Sequence, residues 1–275
     1  MSEASETTVD DVRDWWSTGI SEIAPNLINF RGYPIQDLIG HVSFVDTIWL
    51  LVRGDLPTPG QSKLLEAALV SSADHGPQAP SIAIARMSAT CGIGLNNAMA
   101  SGINALGDVH GGAGQACVAL LWDMKQRMDA GTNIDDAASQ VVQEHKTRRA
   151  YVPGFGHRFH TVDPRRDPLL NLLDDAVEAG EISGDYVACV RALEQALGRR
   201  SSHATRLPMN IDGATATVYA ELGVPPELAR GLFVLSRSVG VLAHAWEEKQ
   251  SGRRIKGPIP PPLTAPYTGQ AERTL

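Results

Sequence analysis

The chain has 275 residues, of which 43% are hydrophobic and 20% charged, and a net charge of −7. That length can bury a core in one large domain or two smaller ones, and the acidic balance argues against a general nucleic-acid surface, so an anionic ligand needs a local basic cluster. The three cysteines, Cys91, Cys117 and Cys189, are widely spaced and odd in number, which argues against a disulfide framework or a zinc site and suits a reducing cytoplasm.

The opening stretch, MSEASETTVDD, is acidic and polar, unlike a secretory signal or a transit peptide. No apolar run approaches the roughly 20 residues of a membrane span. Alternating strand patterns are scarce, whereas apolar residues recur at steps of three and four over 61–73, 114–128, 134–145, 168–179 and 185–197. The longest such pattern covers 225–249, with Pro225 and Pro226 suited to a first helical turn and Gly252 just beyond its end. Along it, Leu228, Leu232, Leu235, Val239, Leu242 and Trp246 form an apolar stripe. These patterns predict an all-α protein. Cys91 and Cys117 fall in apolar helical contexts and read as small core residues. The last eighteen residues hold five prolines, which reads either as an extended tail or as an arm that packs on a partner.

Chemistry-bearing residues cluster in a few segments. Three histidines sit beside glycine: His75 in ADHGP, His110 in GDVHGGAG and His157 in GFGHR. That setting lets a ligand approach both ring and backbone, and it is equally the setting of a hydrogen-bonded loop histidine. His157 and His160 stand three apart, but the arginines around them repel a cation, and a zinc site needs further ligands; no metal is expected. GxxxxGK[ST] and GxSxG are both absent, so neither a phosphate loop nor a serine nucleophile elbow is present. Asp212 lies between Ile211 and Gly213 in an apolar stretch before a helix, and reads first as an N-cap. A carboxylate held there with little water would also become a stronger base. Arg237 lies inside the longest helical pattern with Val234 and Val241 on its face, so its guanidinium needs an anion, either a structural carboxylate or a ligand. Arg158, Arg165 and Arg166 add anion-binding capacity suited to a small di- or tricarboxylic acid.

Five segments, ADHGP, GDVHGGAG, VPGFGHR…DPR, MNIDG and RSVGVLAHAWE, occur in the order found in the citrate synthase superfamily. Across roughly 26–252 the chain resembles that superfamily's short members, the citryl-CoA lyases, and the citryl-CoA lyase portion of ATP-citrate lyase. The resemblance implies the family's all-α fold, with a large helical domain (1–108 and 216–275) and a smaller helical domain (109–215). It implies that His110, His157 and Asp212 are catalytic: His110 steadying the enol of the acetyl thioester, His157 serving the carbonyl or hydroxyl of the four-carbon acid, and Asp212 moving the α-proton. His75, Arg165 and Arg237 match the family's substrate-binding positions. Val152, Pro153, Gly154, Phe155 and Gly156, with Arg158, match the turn that recognises coenzyme A. No cofactor is expected to be tightly bound, coenzyme A entering as the thioester substrate. The expected partners are an acyl-CoA, a small carboxylate and a second copy of the chain, in a homodimer or dimer-based oligomer, with no nucleic acid and no membrane, in the cytoplasm.

Two departures from the family pattern stand out. The stretch between His157 and the DPR motif is one residue shorter, which leaves Arg166 competing with Arg165 for the family position. After the last long helix the chain reads RRIKGPIP, with Gly257 where citrate synthases carry an arginine that reaches the partner subunit; Lys256, Arg254 and Arg253 are the candidates to replace it. The expected activity is a citryl-CoA lyase, with a citrate or 2-methylcitrate synthase as the alternative. A non-catalytic acyl-CoA or carboxylate sensor is a third reading, against which the retention of all three catalytic residue types speaks.

Overall fold

The computed structural model describes residues 9–156, 163–200 and 207–275. Among them are twelve helices and one three-stranded sheet. The chain forms two compact units, dividing between Glu66 and Ala67.

The first unit carries α1 (Val9–Trp15), β1 (Ser21–Ala24), β2 (Leu27–Phe30), β3 (Tyr33–Pro34), α2 (Ile35–Leu38) and α3 (Phe44–Arg53). The strands form an antiparallel meander, with Ile23 opposite Ile28 and Asn29 opposite Pro34. Arg31 and Gly32 both have positive φ, 51° and 89°, as a two-residue hairpin turn of the twist-matched kind requires. The Arg31 guanidinium then donates to the carbonyls of Leu51 (2.8 Å) and Gly19 (3.0 Å), tying the hairpin to the last turn of α3. The all-α expectation holds for the fold, with this small sheet as an addition that the sequence pattern hides, because strands of two to four residues, mostly exposed, are too short to show a period of two. Helix α3 opens with a reciprocal cap between Ser43 and Asp46.

Helix α4 (Pro59–Ser72) runs across the division. The second unit continues with α5 (Pro80–Ala89), α6 (Leu95–Ile103), α7 (Ala113–Asp129), α8 (Ile134–Thr147), α9 (Arg166–Glu178), α10 (Asp185–Arg200), α11 (Ile211–Glu221) and α12 (Pro226–Gln250). The six segments with helical spacing all fall in helices to within one residue. Helix α12 packs on α5, α6 and α7, while α11 packs on α7, α9 and α10. The α5–α6–α12 contact is built mostly from alanines, Ala79, Ala85, Ala89, Ala98 and Ala245, around Ile82 and Val241. Helix α11 is buried at every position from Gly213 to Ala220, the all-round burial of a helix at the centre of a bundle.

The apolar stripe of α12 divides: Leu232 is buried, and the part from Leu235 onward faces outward. Leu235, Val239, Leu242 and Trp246 are 39%, 61%, 40% and 48% exposed, whereas Ser236, Arg237, Gly240, Val241, Ala245 and Glu248 are buried. Close packing selects the small face: a Cβ on Gly240 would lie 2.5 Å from the carbonyl oxygen of Ala73. Cys117 and Cys189 are buried, as small core residues. Cys91 is not a core residue; α5 ends at Ala89, and the thiol is exposed on the turn that follows. After α12 the backbone amides of Ile255 and Lys256 bond to Thr90, and beyond Gly257 the chain has no helix or strand.

Candidate active site

The loop between α6 and α7 carries His110. It turns sharply, with the Gly107 amide bonded to the His110 carbonyl at 2.9 Å. Gly111 adopts φ +108°, and a Cβ there would also press on Phe233 at 3.1 Å, so only glycine fits. The imidazole points at the first turn of α5. The Ser81 amide donates to Nε2 at 3.2 Å, and the Ser81 hydroxyl lies 3.0 Å from the same nitrogen. A backbone amide can only donate, so Nε2 is an acceptor and the ring proton sits on Nδ1. Burial lowers the His110 pKa, and the positive charge of Arg237 lowers it further. A helix N-terminus acts in the same direction. His110 is therefore a neutral imidazole offering an Nδ1–H donor.

Asp212 is half-buried and lies in the first turn of α11. It is not the N-cap; Asn210 is, its Oδ1 accepting from the amides of Asp212 (2.9 Å) and Gly213 (3.2 Å). This leaves the Asp212 carboxylate for other work. Asn210 also donates from Nδ2 to the Gly156 carbonyl at 2.7 Å. The turn over 152–156 is joined to the α11 entry by further backbone bonds, Gly156 to Pro208 (2.8 Å) and Asn210 to Gly154 (3.0 Å). At that seam a Cβ on Gly213 would stand 2.5 Å from the Gly154 carbonyl oxygen. Val152, Gly154 and Phe155 are buried while Pro153 and Gly156 are half-buried, and the turn over 152–156 is packed directly against the helix that bears Asp212.

Two arginines converge on the end of α4, where helix carbonyls lack intrahelical partners. Arg237, 4% exposed, donates from Nε to the Ser72 carbonyl at 3.0 Å and stacks over Phe233 at 4.9 Å. Arg165 donates from Nη1 to the adjacent Ser71 carbonyl at 3.3 Å. Among the described residues no carboxylate hydrogen-bonds to Arg237. Its pKa is lowered by burial, against the opposing fields of Asp74 and Asp212, and Arg165 adds to the lowering. Arg165 is also ion-paired with Asp163 at 2.9 Å, so Arg237 is the guanidinium with no bonded carboxylate among the described residues, which favours an anionic ligand beside it. Arg166 faces elsewhere, bonding to Asp167 and Glu194.

Asp212 feels both guanidiniums. Burial raises its pKa; Arg165 and Arg237 pull it down; Asp163 pushes it up; the net direction is up. A Cβ on Gly114, in the first turn of α7, would lie 3.8 Å from Asp212 Oδ1, so the helix that follows His110 faces this carboxylate. The structure thus gathers His110, Asp212, Arg165 and Arg237 into one electrostatic neighbourhood. A neutral donor, a carboxyl whose burial favours its protonated form, and paired guanidiniums suit the making and quenching of an enolate beside a bound carboxylate. His75 stands exposed on the α4–α5 segment, next to Asp74, which accepts from the Gly76 amide and pairs with His244 at 3.2 Å. His157 and Arg158 lie outside the described residues. Sequence reasoning missed Ser81, Asn210 and Asp163. Asn210 carried a signal, an Asx residue at the threshold of a helix; Ser81 carried none.

The chain is similar to several known proteins. The citryl-CoA lyase of Hydrogenobacter thermophilus is 31% identical, with a TM-score of 0.82 over 94% of this chain and 97% of that one. The ATP citrate lyase of Methanothrix soehngenii, solved in complex with citrate and coenzyme A, shares the fold at 19% identity, with a TM-score of 0.77 over 93% of this chain and 42% of that one. The citrate synthase of Haloferax volcanii is 30% identical over 226 residues, 81% of this chain but 54% of its own. The chain thus spans about half the length of the curated relatives it matches. The family described as "Citrate synthase, C-terminal domain" matches residues 14–63 and 58–258, and with that cover the chain belongs to the citrate synthase family.

Proposed function

We propose that the chain is a citryl-CoA lyase-type enzyme. It cleaves citryl-CoA, or a related 3-hydroxy-acyl-CoA, to acetyl-CoA and oxaloacetate, or a related 2-oxo acid. The observation that carries this reading is the likeness to a citryl-CoA lyase along nearly the whole of both chains. In the cleavage direction His157 takes the proton of the tertiary hydroxyl and the C–C bond breaks. The electron pair passes into the thioester carbonyl, and the enolate oxygen accepts the Nδ1–H of His110. Asp212, its pKa raised by burial, delivers its proton to the enol carbon. Arg165 and Arg237 hold carboxylates of the acid, and the turn over 152–156 takes the coenzyme A side. The thioester is a substrate; no tightly bound cofactor has a step to perform.

A synthase-type enzyme running the same site in reverse is the second reading, favoured by the 30% identity to a citrate synthase. Both readings include a small domain over 109–215 that closes on the rest and excludes water from the enolate. They also include a homodimer, supported by the exposed apolar stripe of α12, which a second copy would cover.

The test is product identification by mass. Citryl-CoA is incubated with the protein, and separately acetyl-CoA with a panel of 2-oxo acids. Acetyl-CoA and oxaloacetate from citryl-CoA, with no net citrate, supports the lyase; free thiol released from acetyl-CoA and oxaloacetate replaces it with the synthase. Asp212→Asn keeps the shape and loses the proton, so kcat is expected to fall about 10²–10⁴-fold with coenzyme A affinity unchanged. Near-normal turnover in that variant removes Asp212 from the mechanism.

A further inference from the structure

We propose that Asp163 is a positioning residue, a single buried carboxylate that locks Arg165 to the start of α11 and so fixes the spacing between the substrate-carboxylate contact and Asp212. The inference rests on the reading of the site given above. Asp163 is 1% exposed. Its Oδ1 accepts from the Arg165 amide (3.0 Å) and from Arg165 Nε (2.9 Å). Its Oδ2 accepts from Arg165 Nη2 (2.9 Å) and from the amide of Ile211 (3.1 Å). Four donors on two oxygens use the full acceptor capacity of a carboxylate. The fork to the guanidinium is bidentate, the geometry that fixes orientation as well as distance.

Oδ2 is the joint. It is shared between the guanidinium and the residue immediately before Asp212, so a movement of either displaces the other. Counting donors shows what this leaves for a ligand. Arg165 has five N–H groups on its side chain. Nε–H and one N–H of Nη2 go to Asp163, and one N–H of Nη1 goes to Ser71. Two N–H groups remain, one on each terminal nitrogen, as donors for a ligand. A lone Arg165 would sample many rotamers and present any pair of donors; the Asp163 fork selects the pair.

The charge of Asp163 has a second consequence. It stands against Arg165 and Arg237, and its field favours the protonated form of Asp212. Removing it lowers the Asp212 pKa, and a loosened Arg165 free to approach Asp212 lowers it further. A purely structural role would move neither the pH profile nor the balance between kcat and KM.

The test uses the full chain, with Asp163→Asn and Asp163→Glu beside Arg165→Ala and Asp212→Asn, assayed for citryl-CoA cleavage across pH. Asparagine opposes its amide to the donors on Oδ2. It is expected to lower kcat about 10²-fold through misplacement of Asp212 and to raise KM about tenfold through loss of the ordered charge-assisted contact. The limb of the profile that reports Asp212 is expected to move to lower pH. Asp163→Glu keeps the charge on a longer stem, so the pH limb stays near its original place while KM remains raised. Combining Asp163→Asn with Arg165→Ala adds nothing further to KM. Values of kcat, KM and the pH limb within about twofold of the parent, or losses that vanish when rates are referred to folded protein, overturn the inference. If Asp163→Asn does not fold, the KM and pH limb of Asp163→Glu decide. Should the parent protein turn over neither citryl-CoA nor acetyl-CoA with oxaloacetate, the reaction reading fails and citrate binding by calorimetry decides: Asp163→Asn must weaken it about tenfold, and unchanged affinity overturns the inference.

Discussion

Two carboxylates in this protein are equally hidden and differently used. Asp163 and Glu248 are each 1% exposed. For both, burial pushes the pKa up and hydrogen bonds from cations more than offset it, so the net direction is down. Asp163 sits on a one-methylene stem and binds a guanidinium fork and two backbone amides. Glu248, near the end of α12, collects Arg86 Nε (2.7 Å) and Lys256 Nζ (2.6 Å) on the same oxygen, Oε2. Its Oε1 has no hydrogen-bond partner among the described residues, and Arg253 Nη1 lies 3.9 Å from it. Long, rotamer-rich stems meeting at one point hold segments together but do not set an angle. Backbone donors and a bidentate fork do. The first carboxylate sits where geometry must be kept, the second where a chain end must be held. Lys256, one of the cations considered as a replacement for the family's arginine, is thereby engaged within its own chain.

The largest expected effect breaks the Glu248 side. Glu248→Ala removes the carboxylate that accepts from Arg86 and Lys256, two charge-assisted hydrogen bonds together worth on the order of 3 kcal/mol, and the segment after α12 loses its anchor. Urea unfolding should show the loss, while kcat of the folded fraction stays at the parent value. A fall in kcat would erase the distinction between the two carboxylates. The pH dependence follows from the direction of the shifts. A group with a depressed folded pKa stabilises the protein above its unfolded value, about 4 for a carboxylate, and that stability is lost as pH falls through the folded pKa. Parent stability is thus expected to drop in acid, and Glu248→Ala to drop less steeply.

The next effect sharpens the Asp163 side by attacking the same junction through its glycines. Gly213→Ala places a methyl 2.5 Å from the Gly154 carbonyl oxygen. Helix α11 must then move away from the turn over 152–156, at a cost of about 1–3 kcal/mol. Because Asp212 rides on that helix, kcat should fall along with the midpoint of thermal unfolding. Full activity at reduced stability would mean that the spacing between turn and helix is not what Asp163 and Asn210 are preserving.

The sequence made the long helices legible and hid the joints. Helices α7 to α10 and α12 announce themselves by amphipathic spacing. Helices α5, α6 and α11 do not, because alanine, glycine and all-round burial give no contrast between faces. On α12 the visible stripe of large apolar residues points outward from Leu235 onward, Leu232 excepted as buried, and the buried face is the one with Ser236, Gly240 and Ala245. Hydrophobicity marks which residues are greasy; close helix packing selects which are small. The residue types of the site came from motif order. What holds them came only with the structure: Asp163 and Ile211 are 48 positions apart, and Ser81 and His110 are 29 apart. No local pattern records a hydrogen bond across such a separation.

The smallest expected effect concerns Ser81, where side chain and backbone converge on one atom. Both its amide (3.2 Å) and its hydroxyl (3.0 Å) reach His110 Nε2. Ser81→Ala removes the hydroxyl and leaves the amide, so the Nδ1–H tautomer survives. One hydrogen bond is worth about 1 kcal/mol, and the expected loss in kcat is about fivefold, with KM for the carboxylate substrate unchanged. A donor to Nε2 favours the unprotonated ring, so its loss moves the His110 pKa back toward the ordinary value. The titration of the ring, followed by NMR of selectively labelled histidine, should show that rise. If instead kcat and the His110 titration are both unchanged, the amide alone sets the tautomer. The two halves of the site would then be alike, each governed by a backbone donor at the start of a helix, α5 for His110 and α11 for Asp163.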